Sequence, residues 1–403
     1  MIADMSPRAC PSRINVPLTA LMAVICGLLV ASVLLPAAEP AVAEPASAAA
    51  LLQPFVDRHE LAGAVMLVAD KDDDVLAVET VGFADIADGR AMTPDTLFWI
   101  ASQTKPMTAV AVMMLVEEGK ASLDDPIEKY LPEFRGQLCV AWKDEGVQLL
   151  RKPAHPVTLR GLLSHISGLP FKTPVQEPTL DQLPLVTVVR AAAMTPLLTE
   201  PGIAYLYSNA GINTAARVIE VATGLPYERF MQERLFDPLG MKDTTFWPDE
   251  EQCLRLASSY RPDAARAGLV EFPIPQLLYP LGDRARRFAN PSGGLFSTAR
   301  DTARFCRMIL NQGELDGRRY LKPESVRELT RRQTPAAFKD SYGLGFAVGP
   351  DWHGHGGAHA TLMEVRPADG LVLVWLVQHG GFPGDGSKAV GVFRDWARKR
   401  FVR

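Results

Sequence analysis

Phe98-Trp99-Ile100-Ala101-Ser102-Gln103-Thr104-Lys105-Pro106 is the stretch on which the reading of this chain turns. Leu97 to Ile100 has the aromatic and apolar character of an extended segment, and it feeds a helical pattern from about Ser102 to Glu118, closed by Gly119. Ser102 and Lys105 therefore stand three residues apart at a helix start, on nearly the same face, with the serine nearest the positive end of the helix dipole. A neutral lysine there can take the serine proton; a charged one can stabilise the alkoxide and lower the pKa of a neighbouring tyrosine. Read alone, the pair equally describes a serine N-cap beside a solvated lysine. Pro106 falls close enough to the helix start that its missing N–H costs little.

Outward from this stretch, Ala64 to Ala69 and Val75 to Phe83 read as the two strands of a hairpin around Asp70 to Asp74. From Asp124 to about Phe288 the chain is Pro-rich, with short helical patterns at Thr158 to Ser164 and Asn209 to Thr223. After Gly293-Gly294, Thr298 and Asp301 predict a capping-box start to a helix through Asn311. Strands are expected at Gly343 to Val348, Ala360 to Arg366 and Leu371 to Gln378, then a last helix near Lys388 to Lys399. Strands at both ends with helices between them predict one α/β domain over 44–403. Its α/β part is built from about 50–122 and 289–403, around a mostly helical insert at about 123–288. A cleft between the two is the expected place for a site.

Composition narrows the class. Of 403 residues, 47% are hydrophobic and 22% charged, which excludes disorder or coiled coil as a description of the whole. Lys plus Arg is 42 against 46 Asp plus Glu, a net charge of -4, so no nucleic-acid partner is expected. Residues 1–43 differ from the rest: Arg8 and Arg13 precede the apolar run Leu18 to Leu35 and then Ala41-Val42-Ala43, the pattern of a secretory signal with an A-x-A cleavage site. At 18 residues the run also reaches the length of a membrane anchor. Either way the remainder is expected to be exported, periplasmic or extracellular, with no other membrane partner. Of the five cysteines only Cys139, Cys253 and Cys306 follow this segment, and no C-x-x-C spacing suggests a structural zinc site or a disulfide framework.

Two further motifs carry chemistry. In Tyr207-Ser208-Asn209 a tyrosine of displaced pKa can shuttle a proton, and the Asn209 amide can hold a substrate carbonyl or the lysine. The plainer reading is a buried tyrosine and a turn asparagine. In His355-Gly356-Gly357-Ala358 the glycines let a ligand approach a backbone edge, where the Ala358 N–H can join that of Ser102 in an oxyanion hole. The plainer reading there is a tight turn before a strand.

Taken in order, these three segments resemble the serine β-lactamase and penicillin-binding superfamily, in the branch of class C β-lactamases, related carboxylesterases and D-amino-acid peptidases. Glu117 to Lys120 with Leu123 to Pro126, Leu162-Leu163-Ser164-His165-Ile166-Ser167-Gly168-Leu169, Pro238 to Met241 and Pro291 to Ala299 extend the resemblance over residues 50 to 380. It implies an antiparallel sheet flanked by helices, Ser102 as the acylated nucleophile, and general base and acid duties shared between Lys105 and Tyr207. It further implies Asn209 on the substrate's carbonyl side, an oxyanion held by the Ser102 and Ala358 N–H groups, and an acyl-enzyme that needs no metal or cofactor.

One departure bears on substrate. Penicillin-recognising members carry a lysine where this chain has His355, and a histidine of ordinary pKa near 6.5 is mostly neutral at pH 7, so it attracts a carboxylate less well. A carboxylesterase on small esters is therefore expected ahead of a β-lactamase, a D,D-peptidase or a D-aminopeptidase, with a small-molecule ester or amide as the partner. His353, His355 and His359 also form an H-x-H-x-x-x-H string, which keeps a metallohydrolase as a lesser alternative. No G-x-S-x-G occurs, against an α/β-hydrolase. Trp247, Phe272, Tyr279 and Phe288 are candidates to line an acyl pocket, and His165 is expected to be a loop or core residue.

Overall fold

Gly63 to Asp70 shows almost no alternation of apolar and polar residues, because the strand it forms is covered on both faces. In a computed structural model, which describes residues 47–72 and 75–402, this strand, β1 (Gly63–Asp70), lies inside a seven-stranded sheet. The other strands are β2 (Ala77–Asp85), β3 (Arg90–Ala91), β4 (Ala347–Val348), β5 (His353–Gly356), β6 (Leu362–Arg366) and β7 (Leu371–Leu376). The order is β4-β5-β6-β7-β1-β2-β3 and every neighbouring pair is antiparallel. β1 thus joins the first part of the chain to the last, with Val65 opposite Leu376 and Asp70 opposite Leu371. The expected signal or anchor at 1–43 lies outside the described residues.

The helices that position the site are α1 (Ala48–Asp57), α2 (Thr104–Glu117), α3 (Leu159–Leu163), α4 (Asn209–Thr223), α5 (Ala299–Leu310) and α6 (Ala389–Phe401). Side chains along a strand alternate between its faces. Val65, Leu67 and Ala69 of β1 accordingly pack with α2 and α5, while Ala64, Met66 and Val68 pack with Leu52 of α1 and Phe393 and Trp396 of α6. Burying each large apolar side chain contributes about 1.5–3 kcal/mol. The fold is a mixed α and β architecture with a large antiparallel sheet flanked by helices.

α2 is apolar nearly all round, from Thr104 to Leu115 every residue is buried, and it runs through the core rather than over it. The α-helix proper starts at Thr104, preceded by one 3₁₀ turn, Ala101–Gln103. The segment 123–288 has more helix than strand. It holds α3, α4 and the helix Leu185–Met194, but also two hairpins, Cys139–Asp144 with Val147–Arg151 and Tyr260–Pro262 with Leu269–Glu271. Its Leu159, Leu162, Ile212 and Ala215 share one core with Met107 and Val110 of α2.

The start of α5 corrects an expectation. Thr298 accepts from the Asp301 N–H as an N-cap should, but the Asp301 carboxylate turns away and accepts from the Asp243 N–H at 2.7 Å and the Thr244 hydroxyl at 3.0 Å. Burial pushes the Asp301 carboxyl up to about 6, against the pull of those bonds. Between pH about 4 and about 6 the folded chain then holds a proton that the unfolded chain has lost, so this group makes stability fall as pH rises through that window. The first turn of α5 favours a carboxylate and offsets part of the cost. Asp301→Asn, which keeps an acceptor, should remove this decline and stabilise the fold by about 2 kcal/mol more at pH 7 than at pH 4.5. Urea denaturation of both proteins at the two pH values measures it; a variant with the wild-type pH slope would contradict the assignment.

Candidate active site

Ala101 has a φ of +46°, a left-handed backbone that costs a non-glycine residue about 1 kcal/mol. The surroundings over-determine it. Trp99 Nε1 donates to the Gly293 carbonyl at 2.7 Å, Gln378 Nε2 to the Trp99 carbonyl at 3.0 Å and the Thr104 hydroxyl to the Ala101 carbonyl at 2.7 Å, and the Ile100 N–H bonds the Leu295 carbonyl at 3.0 Å. The result is a fixed corner between the short strand Phe98–Trp99 and α2, with Ser102 half-buried on it.

Lys105, one turn on, is completely buried rather than solvated. Its Nζ lies 3.0 Å from Ser102 Oγ, donates to the Ser292 carbonyl at 2.6 Å and stands 4.6 Å from the centre of the Tyr207 ring. Burial pushes its ammonium well below the usual lysine range. A neutral amine that spends one N–H on Ser292 can turn its lone pair to the Ser102 hydroxyl. Tyr207 is displaced the other way: burial raises its pKa, and a hydrogen bond with Ser102 draws it only partly back. The triad can therefore move a proton from Ser102 to Lys105 while Tyr207 stays a donor.

Tyr207 is held where the chain enters α4. Ser208 caps this helix, its Oγ accepting from the Gly211 N–H at 2.8 Å and donating to the Pro170 carbonyl at 2.6 Å. Asn209 is the first helical residue, and its N–H bonds the Phe171 carbonyl at 2.9 Å. Its side-chain oxygen is buried and has no hydrogen-bond partner among the described residues.

The third segment is the end of a strand and not only a turn. His355 and Gly356 close β5, opposite Met363 and Leu362. A Cβ on Gly357 would stand 2.6 Å from the Ile100 carbonyl oxygen and 2.1 Å from Thr361 Oγ1, so only glycine lets the strand end lie against the Ser102 corner. Gly356 has no such constraint, its nearest such contact being 3.5 Å. Ala358 follows, exposed, one residue beyond that approach.

His355 does not present a free ring. Its Nδ1–H donates to the Gly356 carbonyl at 2.6 Å, which leaves Nε2 to accept from the Tyr342 hydroxyl at 2.8 Å. Burial, with the charge of Lys105 second, pushes its pKa down to about 3. It is a buried residue whose two ring nitrogens both have partners within the protein.

The histidine string does not converge. His353 packs edge-on to Phe346, and His359 bonds Gln378 Oε1 at 3.0 Å and Ser259 Oγ at 3.1 Å. Among the described residues no three His, Cys, Asp or Glu side chains are grouped as metal ligands. Of the aromatic candidates, Phe272 packs on His359, Trp247 on Phe246, and the Tyr279 hydroxyl accepts from the Ile274 N–H at 3.0 Å. The rings around Tyr207 are His165, His355 and Phe171. Cys139, Cys253 and Cys306 are all free thiols.

The chain matches the Beta-lactamase family over residues 48–391. It belongs to that family. Among its relatives, Protein Rv1367c of Mycobacterium tuberculosis is 34% identical, the match covering 82% of this chain and 89% of the relative. Esterase EstB of Burkholderia gladioli is 32% identical, with 85% and 87% covered. The solved structure of simvastatin synthase (LovD) from Aspergillus terreus superposes with a TM-score of 0.73 at 20% identity, covering 89% of this chain and 99% of that one. The family and its esterase relative make the protein a serine hydrolase.

Within this family member, sequence reasoning missed Tyr342 and Ser292; His165 is a buried loop residue as expected, and only its contact with Tyr207 lacks a sequence signal. A carbonyl acceptor such as that of Ser292 has no residue signature. Tyr342 lies 13 residues before its histidine, and the pairing depends on how β4 folds back. Lys105→Met should lower the rate of Ser102 acylation about a hundred- to ten-thousandfold. The melting temperature should stay at or above the wild-type value, because a thioether replaces an amine whose burial is unfavourable. Stopped-flow acylation and thermal melts check both; an active variant would exclude Lys105 as the base.

Proposed function

We propose that the protein is an exported carboxylesterase that acylates Ser102 and acts on small uncharged esters. Export rests on the signal-like pattern of Arg8, Arg13, the run Leu18 to Leu35 and Ala41-Val42-Ala43. Ser102 Oγ attacks the ester carbonyl carbon as its proton passes to Lys105 Nζ, and the resulting oxyanion rests between the N–H groups of Ser102 and Ala358. When the bond to the alcohol oxygen breaks, Tyr207 relays the proton from Lys105 to the leaving oxygen. Water then attacks the acyl group by the reverse route, releases the acid and returns the proton to Ser102.

The observation that carries the substrate class is His355, neutral and bonded to Tyr342 and Gly356 where a β-lactam-recognising site needs a cation. A unit charge about 4 Å from a carboxylate is worth about 1 kcal/mol in water and about 4 kcal/mol at an effective dielectric near 20. Without it, carboxylate-bearing substrates lose that term and neutral esters lose nothing. Phe171, 46% exposed and stacked on Tyr207 at 6.2 Å, adds an apolar edge suited to an acyl or alcohol group.

The test compares a p-nitrophenyl ester with a penicillin, by kcat/KM and by intact mass of the acylated protein. The ester should be preferred, Ser102→Ala should abolish both the turnover and the adduct, and the ester-to-penicillin ratio should stay flat from about pH 5.5 to about pH 8.5, where His355 does not titrate. Equal efficiency on penicillin, or a ratio that shifts toward acidic substrates at low pH, would overturn the assignment.

A further inference from the structure

His165 brackets Tyr207 from both sides along the chain. Its backbone carbonyl accepts from the Leu206 N–H at 2.8 Å, and its ring Nδ1 accepts from the Ser208 N–H at 3.1 Å. The ring also packs against Tyr207, with centroids 4.5 Å apart, and against Tyr342 at 4.6 Å. His165 is fully buried and takes a left-handed φ of +62° just after α3. That is an unfavourable backbone for a histidine unless its side chain is needed there. An Nδ1 that accepts places the ring proton on Nε2, which is buried with no partner among the described residues.

We infer that His165 is a positioning residue that fixes the Tyr207 hydroxyl against Ser102 through the Ser208 N–H. The inference rests on the reading of Ser102 and Tyr207 as the reacting pair. With the Ser208 N–H unbound, the entry to α4 is free to rotate, and Tyr207 leaves the Ser102 hydroxyl while Lys105 and the oxyanion donors stay in place. Substrate binding is then preserved and the proton relay is not.

Three variants separate the acceptor from the ring and from the backbone. His165→Asn keeps an oxygen at the Nδ1 position and tolerates the left-handed turn. His165→Phe keeps a ring without an acceptor, and His165→Gly relieves the backbone and supplies neither. Each is assayed for kcat and KM on p-nitrophenyl acetate, for the rate at which a fluorophosphonate labels Ser102, and for melting temperature. His165→Phe and His165→Gly should lower kcat and the labelling rate about 100-fold with KM near wild type, while His165→Asn retains most of both rates. If Asn falls as far as Phe, or if Phe and Gly keep wild-type kcat, the inference is overturned. Because the phosphonate reports on Ser102 whatever the natural ester is, poor turnover of p-nitrophenyl acetate by the wild type with efficient labelling counts against the substrate class alone, whereas a His165→Phe or His165→Gly variant labelled at the wild-type rate overturns the inference. A wild-type protein not labelled at Ser102 removes the reading of the nucleophile and this inference with it.

Discussion

A lysine amine that burial holds well below its usual range is the constraint around which this site is built. Lys105 sits in the first turn of a helix whose residues from Thr104 to Leu115 are all buried, so no water reaches it, and the positive end of the helix dipole works against an ammonium at the same place. Leaving a polar group there costs free energy unless its bonds are met. Two atoms meet them, the Ser292 carbonyl oxygen and Ser102 Oγ. The apolar surface that the rest of α2 buries with Val65, Leu67 and Ala69 of β1 offsets the expense. The same dipole that discourages a charged lysine favours a negative oxygen on Ser102, so one helix end suits both roles proposed for the pair.

Much of the frame was legible because apolar periodicity is a local signal. α4 spans Asn209–Thr223, the span read from the sequence, and strands β1, β2, β6 and β7 fall on their expected runs to within a few residues. The hairpin at Cys139–Arg151 carries no such clear signal. Its two-residue turn is Glu145-Gly146, both with positive φ, and Glu-Gly is a weaker hairpin signature than Asn-Gly or Asp-Gly. The strand His353–Gly356 was hidden by its glycines, which read as a turn and which, at Gly354 and Gly357, are there because neighbouring backbone comes too close for a Cβ.

In the site itself, what was legible was the set of residue types, and what was not was their partners. Ser102, Lys105 and Tyr207 announce themselves by spacing and chemistry, and the fold gathers them. The state of each depends on groups brought in from far along the chain: Ser292 for Lys105, Tyr342 for His355, His165 for Ser208. A histidine taken from sequence alone has its ordinary pKa and two free nitrogens. Here burial and two hydrogen bonds remove both properties, and no window of sequence around His355 contains that information.

The neutrality of this site therefore belongs to a shell and not to one position. A lysine at 355 would face the Tyr342 hydroxyl and the Gly356 carbonyl within a wall already shared with Lys105. Two amines in one desolvated pocket cannot both be charged cheaply, since each lowers the proton affinity of the other. The newcomer would either stay neutral, adding no attraction for a carboxylate, or be charged and push Lys105 still further from protonation. A fixed cation at this edge needs solvent or a carboxylate counterion beside it, and Tyr342, Tyr207 and His165, packed ring against ring, supply neither. The proposed preference for uncharged substrates and the proposed proton relay therefore rest on the same buried side chains, the rings packed around Tyr207.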